Sequence, residues 1–395
     1  MWYRAKFLYK GEITEGCINA FGTIVEIRKE CRPDLDLSNE GLLLPASIDM
    51  HVHLRDWEQA YKETVVTGTS EAVYGGVGTV IEMPNTVPPV RDYDTTVSRL
   101  THLDRYARTD FSLFAGVPKD RNEAERMASL PIAGFKVFPE DLESFHVVAS
   151  SEKLKVLHPE VALANSSFRD MRAYWMELAS LYLVHGKVHV THSTSLDTIR
   201  LAKSLGFTAD FTMHHLLVEG ERDCLSKVNP PIRDAVQRRK LLLAFYEADL
   251  VASDHAPHAK EEKAMPYELC PPGIAGVSFT APFVFSLVFK DVLSLDRALD
   301  LLVRNPAKVL GVMYGEIEEG YPSNFVVIAR ESWRYSTRFS KVTQTPFDLY
   351  PLEARVKYTI VRGKVVYDGE DVYPVKGLNP FARAVRVKSL TGGLA

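Results

Sequence analysis

Apolar residues recur along this chain with two alternating periods. Near the N-terminus, polar and apolar positions alternate through Arg4 to Leu8, Cys17 to Ala20 and Thr23 to Ile27, with Gly11 and Gly22 at the breaks, a pattern of short strands joined by turns. The C-terminal end reads the same way. There Asn324 to Ala329 and Ala354 to Val361 are β-rich, and Arg362-Gly363-Lys364 predicts a tight turn into Val365-Val366-Tyr367. Neither end has enough apolar surface for its own core, so the two are expected to pair in one small β-sandwich from 1–45 and 315–395.

Between them, short apolar segments alternate with helical stretches. The predicted strands are Ser47 to Leu54, Thr79 to Met83, Asp110 to Ala115, Gly134 to Phe138, Val156 to His158, Val188 to Ser193, Ala209 to His214 and Leu250 to Asp254. Helical stretches such as Lys62 to Tyr74, Ser167 to His185 and Leu196 to Ser204 fall between several of them. Eight such repeats across 46–314 match the roughly 250 residues of a (β/α)8 TIM barrel, an α/β fold whose active sites lie at the C-terminal ends of the strands. Tyr74-Gly75-Gly76-Val77-Gly78 precedes a strand rather than a helix, so it reads as a helix cap and not as a phosphate loop.

Composition narrows the class. The 395 residues carry 47 Lys+Arg against 51 Asp+Glu, a net charge of -4 that lacks the basic footprint of a nucleic-acid binder. No apolar run approaches a membrane span, and Met1 to Lys6 leads into alternation rather than a signal peptide. Cys17, Cys31, Cys224 and Cys270 are scattered without a C-x-x-C pair, which points to free thiols and a reducing cytosol. A mature, soluble, cytoplasmic chain acting on a small molecule is the expectation.

Histidines gather at predicted strand ends. His51 and His53, two apart on one strand, project from the same face. Three further termini carry imidazoles: Val156-Leu157-His158-Pro159-Glu160, Val188-His189-Val190-Thr191-His192-Ser193 and Ser253-Asp254-His255-Ala256-Pro257-His258. Buried imidazoles at four separate strand ends are costly unless they share a task, and a metal centre is the task that fits. His189, three positions before His192, lies on the opposite strand face and is set aside as a ligand. His102, His146 and His185 read as surface or packing residues, and His214-His215 carry no assignable ligand role. The Lys260-Glu261-Glu262-Lys263 stretch reads as a solvated loop near the mouth.

Ile48-Asp49-Met50-His51-Val52-His53-Leu54-Arg55, Glu82-Met83-Pro84-Asn85-Thr86 and Ser253 to His258 closely resemble the signatures of the dihydroorotases, cyclic amidohydrolases of the metal-dependent amidohydrolase superfamily. Asn229-Pro230-Pro231-Ile232-Arg233, Asn305-Pro306-Ala307-Lys308 and Tyr358 to Lys364 extend the resemblance over nearly the whole chain. Departures alter turns and the pocket rim, with Ala46 in place of the usual glycine and Asp56-Trp57-Glu58-Gln59 after Arg55. Pro139 to Ser150 departs more, and the resemblance implies no substrate contact there.

The resemblance implies two Zn²⁺, one held by His51, His53 and Asp254 and the other by His158 and His192. Lys136, a lone cation in the apolar strand Gly134 to Phe138, would bridge them after carbon dioxide converts its amine to a carbamate, which also removes the cost of burying the charge. It further implies that Asp254 is the catalytic proton carrier and that Arg55, Asn85 and His258 read a substrate carboxylate. The implied reaction is the reversible cyclisation of N-carbamoyl-L-aspartate to dihydroorotate, a step of pyrimidine biosynthesis. Allantoinase and dihydropyrimidinase share the fold and metals and remain the alternatives, as does a catalytically silent partner of aspartate transcarbamoylase. Association with that enzyme and a homodimer are both left open.

Overall fold

The computed structural model describes residues 1–161, 172–219 and 222–382. The first five strands lie near the N-terminus: β1 (Trp2–Tyr9), β2 (Glu12–Phe21), β3 (Thr23–Arg28), β4 (Leu35–Asp36) and β5 (Leu42–Pro45). Eight more follow in the middle of the chain: β6 (Ser47–Val52), β7 (Val77–Glu82), β8 (Asp110–Gly116), β9 (Gly134–Val137), β10 (Leu154–Leu157), β11 (Val188–Val190), β12 (Thr208–Phe211) and β13 (Leu250–Val251). The last three are β14 (Phe325–Arg334), β15 (Pro351–Val361) and β16 (Lys364–Tyr367).

Strands β6 to β13 stand side by side in chain order, every pair parallel. The ring closes through a bridge between Val52 and His255, where His53 N–H donates to the His255 carbonyl at 2.8 Å. Parallel strands covered by helices are buried on both faces, which is why they read as nearly unbroken apolar runs. Gly134 shows how tightly neighbours approach, since a Cβ there would meet the Leu154 carbonyl oxygen at 2.0 Å. Among the helices that follow the strands, α1 (Val65–Tyr74) begins at Thr64 and α2 (Tyr93–Tyr106) at Asp92, each with a reciprocal capping box. The helix at Leu196–Ser204 has the bounds that its periodicity predicts, whereas part of the predicted Ser167 to His185 helix lies outside the described residues and Trp175–Leu181 is helical.

The two chain ends share one sheet, ordered β16-β15-β14-β5-β1-β2-β3 with β4 beside β1. The join is the antiparallel pairing of β5 with β14, Leu44 opposite Val326. Side chains alternate across β14: Phe325 and Val327 enter a small core with Tyr3, Phe7 and Ile18, while Val326 and Ile328 face the barrel core. Ser286, on the apolar helix Val277–Phe289, accepts from the backbone of Glu353 and Ala354 and fixes β15 against the barrel.

Two expectations are corrected. The four cysteines form disulfides, Cys17–Cys31 and Cys224–Cys270, so the inference of a reducing compartment loses its basis in free thiols. Pairing is a tertiary property: Cys17 on β2 lies opposite Arg28 on β3, which brings Cys31 just beyond β3 within reach. The expected strand over Ala209 to His214 ends at Phe211, and Met213–Leu217 is a helix capped by the Thr212 hydroxyl. Among the described residues no helix is long and apolar enough to cross a membrane.

Candidate active site

The barrel strands end just before the chemistry begins. His51 is still within β6, Lys136 within β9, and His53, His158, His192 and Asp254 follow their strands by one to three residues. His192 and Asp254 have positive φ, 41° and 47°, so the backbone turns sharply as each leaves the barrel and carries its side chain inward. These residues converge with Arg55 and Asn85 on one cavity of about 140 Å³ at the C-terminal end of the barrel.

Its metal-facing wall is compact. Ligand atoms of His51, His53 and Asp254 all lie within 4.8 Å of one another, with Asp254 Oδ1 3.3 Å from His51 Nε2 and 3.2 Å from His53 Nε2. The His192 ring stands 5.0 Å from that of His51 and 4.6 Å from that of His158. Burial favours the neutral imidazole at His51, His53 and His192, the form that offers a lone pair to a metal. Burial alone would protonate Asp254, but His51 and His53 hold its carboxyl far below the usual range, so it stays anionic. Burial also lowers the Lys136 amine to about 7, and its Nζ has no hydrogen-bond partner among the described residues. The His192 Nδ1 and His214 Nε2 atoms are likewise buried without a hydrogen-bond partner among them. Orphaned polar atoms around an anionic carboxylate are costly by themselves, and a cation supplies what they lack. The residues fit a metal site.

Each first imidazole is oriented from behind. Thr191 Oγ1 lies 2.7 Å from His51 Nδ1 and donates at 2.9 Å to Asp210, a fully buried carboxylate that also accepts from the His192 backbone N–H and from His189. Glu160 lies 2.6 Å from His158 Nε2. Asn85 Oδ1 is 2.6 Å from His53 Nδ1.

A second group of residues at the cavity is cationic. Arg55 is buried, its Nε donates to the Pro257 carbonyl at 3.2 Å, and its Nη2 is 3.1 Å from His258 Nε2. Among the described residues no carboxylate lies within ion-pair distance of it, and burial lowers its pKa to about 10. Asp56, its neighbour in the chain, binds His102 at 3.0 Å. His258 is fixed by Lys62 and Glu262, which themselves pair at 2.9 Å, and Gly273 packs so closely that a Cβ would meet its ring at 2.9 Å. With its oxygen turned to His53, exposed Asn85 has its N–H₂ group left to offer a ligand.

The family model described as dihydro-orotase-like matches residues 40–155, and that of the amidohydrolase family matches 177–366. A dihydroorotase of Sulfurisphaera tokodaii is 53% identical, covering 98% of this chain and 99% of its own length. One of Sulfolobus acidocaldarius is 54% identical, over 98% and 100%. The chain belongs to the dihydroorotase family. It is therefore a hydrolase of cyclic amides, in keeping with a metal-fitted cavity at the mouth of a barrel. Among solved structures, an L-hydantoinase (dihydropyrimidinase) of Arthrobacter aurescens shares the fold with a TM-score of 0.84, at 20% identity over 95% of this chain and 97% of that one.

Within this dihydroorotase framework the structure brings His51, His53, Arg55, Asn85, Lys136, His158, His192 and Asp254 to one cavity, with His258 behind Arg55. The supporting roles of Thr191, Asp210, Lys62 and Glu262 escape sequence reasoning, since Thr191, Asp210 and Lys62 act across elements and Glu262 is paired with the distant Lys62. Two smaller readings change. Lys260–Lys263 is a short helix, and its Glu262 and Lys263 are tied to Lys62, His258, Cys224 and Pro271 instead of being solvated. His214, without a role in the sequence reading, stands 4.0 Å from Asp254 Oδ2.

Proposed function

We propose that the chain catalyses the reversible cyclisation of N-carbamoyl-L-aspartate to (S)-dihydroorotate, with two Zn²⁺ at the histidine wall. His51, His53 and Asp254 would hold one ion, His158 and His192 the other, and a carbamate on Lys136 would join them. When bound, the ions would lower the pKa of water and polarise the amide carbonyl. Asp254, held anionic, takes the proton from the attacking water and delivers it to the leaving ring nitrogen. In ring closure the same carboxylate runs the transfer backwards. Arg55, Asn85 and His258 receive the carboxylate that lies outside the ring and fix its face toward the metals.

The observation that carries this substrate is the buried Arg55 guanidinium without an acidic partner among the described residues, in the same cavity as the histidine cluster. A neutral dihydrouracil ring would leave that cation uncompensated. Ring closure consumes one carboxylate and one proton, so acid drives cyclisation and alkali drives hydrolysis.

The test is a ring-opening assay of the purified chain on dihydroorotate, dihydrouracil and allantoin, together with metal analysis. Dihydroorotate should be opened fastest by a protein with about two zinc equivalents. Faster opening of either other ring overturns the substrate, and full metal content without turnover would favour a silent partner of aspartate transcarbamoylase.

A further inference from the structure

Arg55, Asp56 and Trp57 have φ values of 55°, 62° and 48°, three consecutive non-glycine residues in the left-handed region. L-residues visit that region singly, because Cβ crowds the following carbonyl, and a run of three persists only when its surroundings over-determine it. The surroundings here are a buried ion pair behind the pocket wall. Arg99, on α2, donates from Nε to Glu82 Oε2 at 2.7 Å and from Nη2 to Glu82 Oε1, and both side chains are almost wholly inaccessible. The same Nη2 donates to the Arg55 carbonyl at 3.0 Å, and the guanidinium lies 4.8 Å from the centre of the Trp57 ring. One turn farther along α2, His102 binds Asp56, whose carboxylate also accepts from the backbone N–H of Trp57 and Val65. Neither Arg99 nor Glu82 lines the cavity.

We propose that Arg99, anchored by Glu82, is a positioning residue that clamps the 55–57 turn and so aims the Arg55 guanidinium at the substrate carboxylate. The clamp thereby sets the preference for cyclic amides that carry an acid over neutral ones. This inference rests on the reading of Arg55 given above. An ion pair placed only to stabilise the barrel would need no third bond to the first backbone carbonyl of the strained turn. A planar fork, with donors left over after binding a carboxylate, is the group that can grip both partners.

Three variants of the metal-loaded enzyme test it. Arg99→Lys keeps the charge opposite Glu82 but loses the fork. The double variant Arg99→Met with Glu82→Gln leaves no buried charge unpaired, which protects folding. Arg55→Ala supplies the reference. In either clamp variant, KM for dihydroorotate should rise about 10- to 100-fold with kcat within about twofold and zinc content unchanged. Opening of neutral dihydrouracil should keep its native rate. In an Arg55→Ala background the clamp substitution should add nothing further to KM. A folded clamp variant with native KM, or an effect that adds fully to that of Arg55→Ala, overturns the proposal. If Arg55→Ala itself leaves KM unchanged, the carboxylate reading of Arg55 fails, which a native KM in the clamp variants alone does not imply.

Discussion

The two walls of the pocket are made by different means. Metal-side groups sit in or within three residues of barrel strands, where parallel register carries neighbours in step: Lys136 pairs with Val156, two residues before His158, and Val156 pairs with His189, three before His192. The groups proposed to bind the anion sit at the outer limit of that range or past it, Arg55 and Asn85 three residues beyond β6 and β7 and His258 in the loop beyond β13, held by a left-handed turn, a close-packed glycine and the Lys62–Glu262 pair. Rigid strand ends suit a site that tolerates little error in ligand position, whereas loops can be exchanged to read a different substrate on the same machinery. The contrast predicts that damage to the first wall removes chemistry and damage to the second removes selection.

The sharpest test is Asp254→Ala, which should lower kcat by about 10³-fold or more, because the proposed mechanism has this one carboxylate both hold metal and carry the proton. Steady-state turnover checks it, and a loss confined to KM would erase the distinction between the walls. Next in size is Lys136→Ala. It should lose one or both metals by elemental analysis, with activity partly restored by short carboxylic acids that replace the carbamate; two retained equivalents and full turnover would remove the carbamate. Arg55→Ala should leave kcat within a few fold while raising KM by about 100-fold, as the loss of a charge-assisted pair worth roughly 2–3 kcal/mol requires. The smallest effect concerns the loop wall's own stability. Burial would raise the Asp56 carboxyl, but His102 and the N–H groups of Val65 and Trp57 pull it down to about 2 from 3.8. An acid whose pKa is lowered on folding stabilises above its unfolded value and loses that contribution as pH falls through the folded one. Thermal unfolding of Asp56→Asn and the parent chain should therefore differ most above pH 4 and converge toward pH 2. A gap that does not narrow would mean that Asp56 acts by shape alone.

Much of the metal wall is legible in the linear order of residues. H-x-H on a strand needs only the two-residue period to put both imidazoles on one face, and Lys136 declares itself as one cation in an apolar run. The anion wall is legible only in part. Arg55 is expected on the strand face of His53, yet it follows a strand that has already ended, and its direction comes from the turn at 55–57 and from Arg99 on a helix 44 positions away. The disulfides and the Asp210 support of His51 are invisible for the same reason: each depends on a partner whose distance along the chain carries no signal.

Local pattern therefore determined by itself where the eight barrel strands fall, that their ends carry imidazoles and a carboxylate, and that the two chain ends need each other. Period and burial are properties of neighbouring residues, so the order of residues contains them. Only the tertiary structure decided how Arg55 points, which nitrogen of each histidine faces the cavity and which cysteines join, because hydrogen bonds and disulfides act over a few ångströms and contact forms only once the barrel has closed.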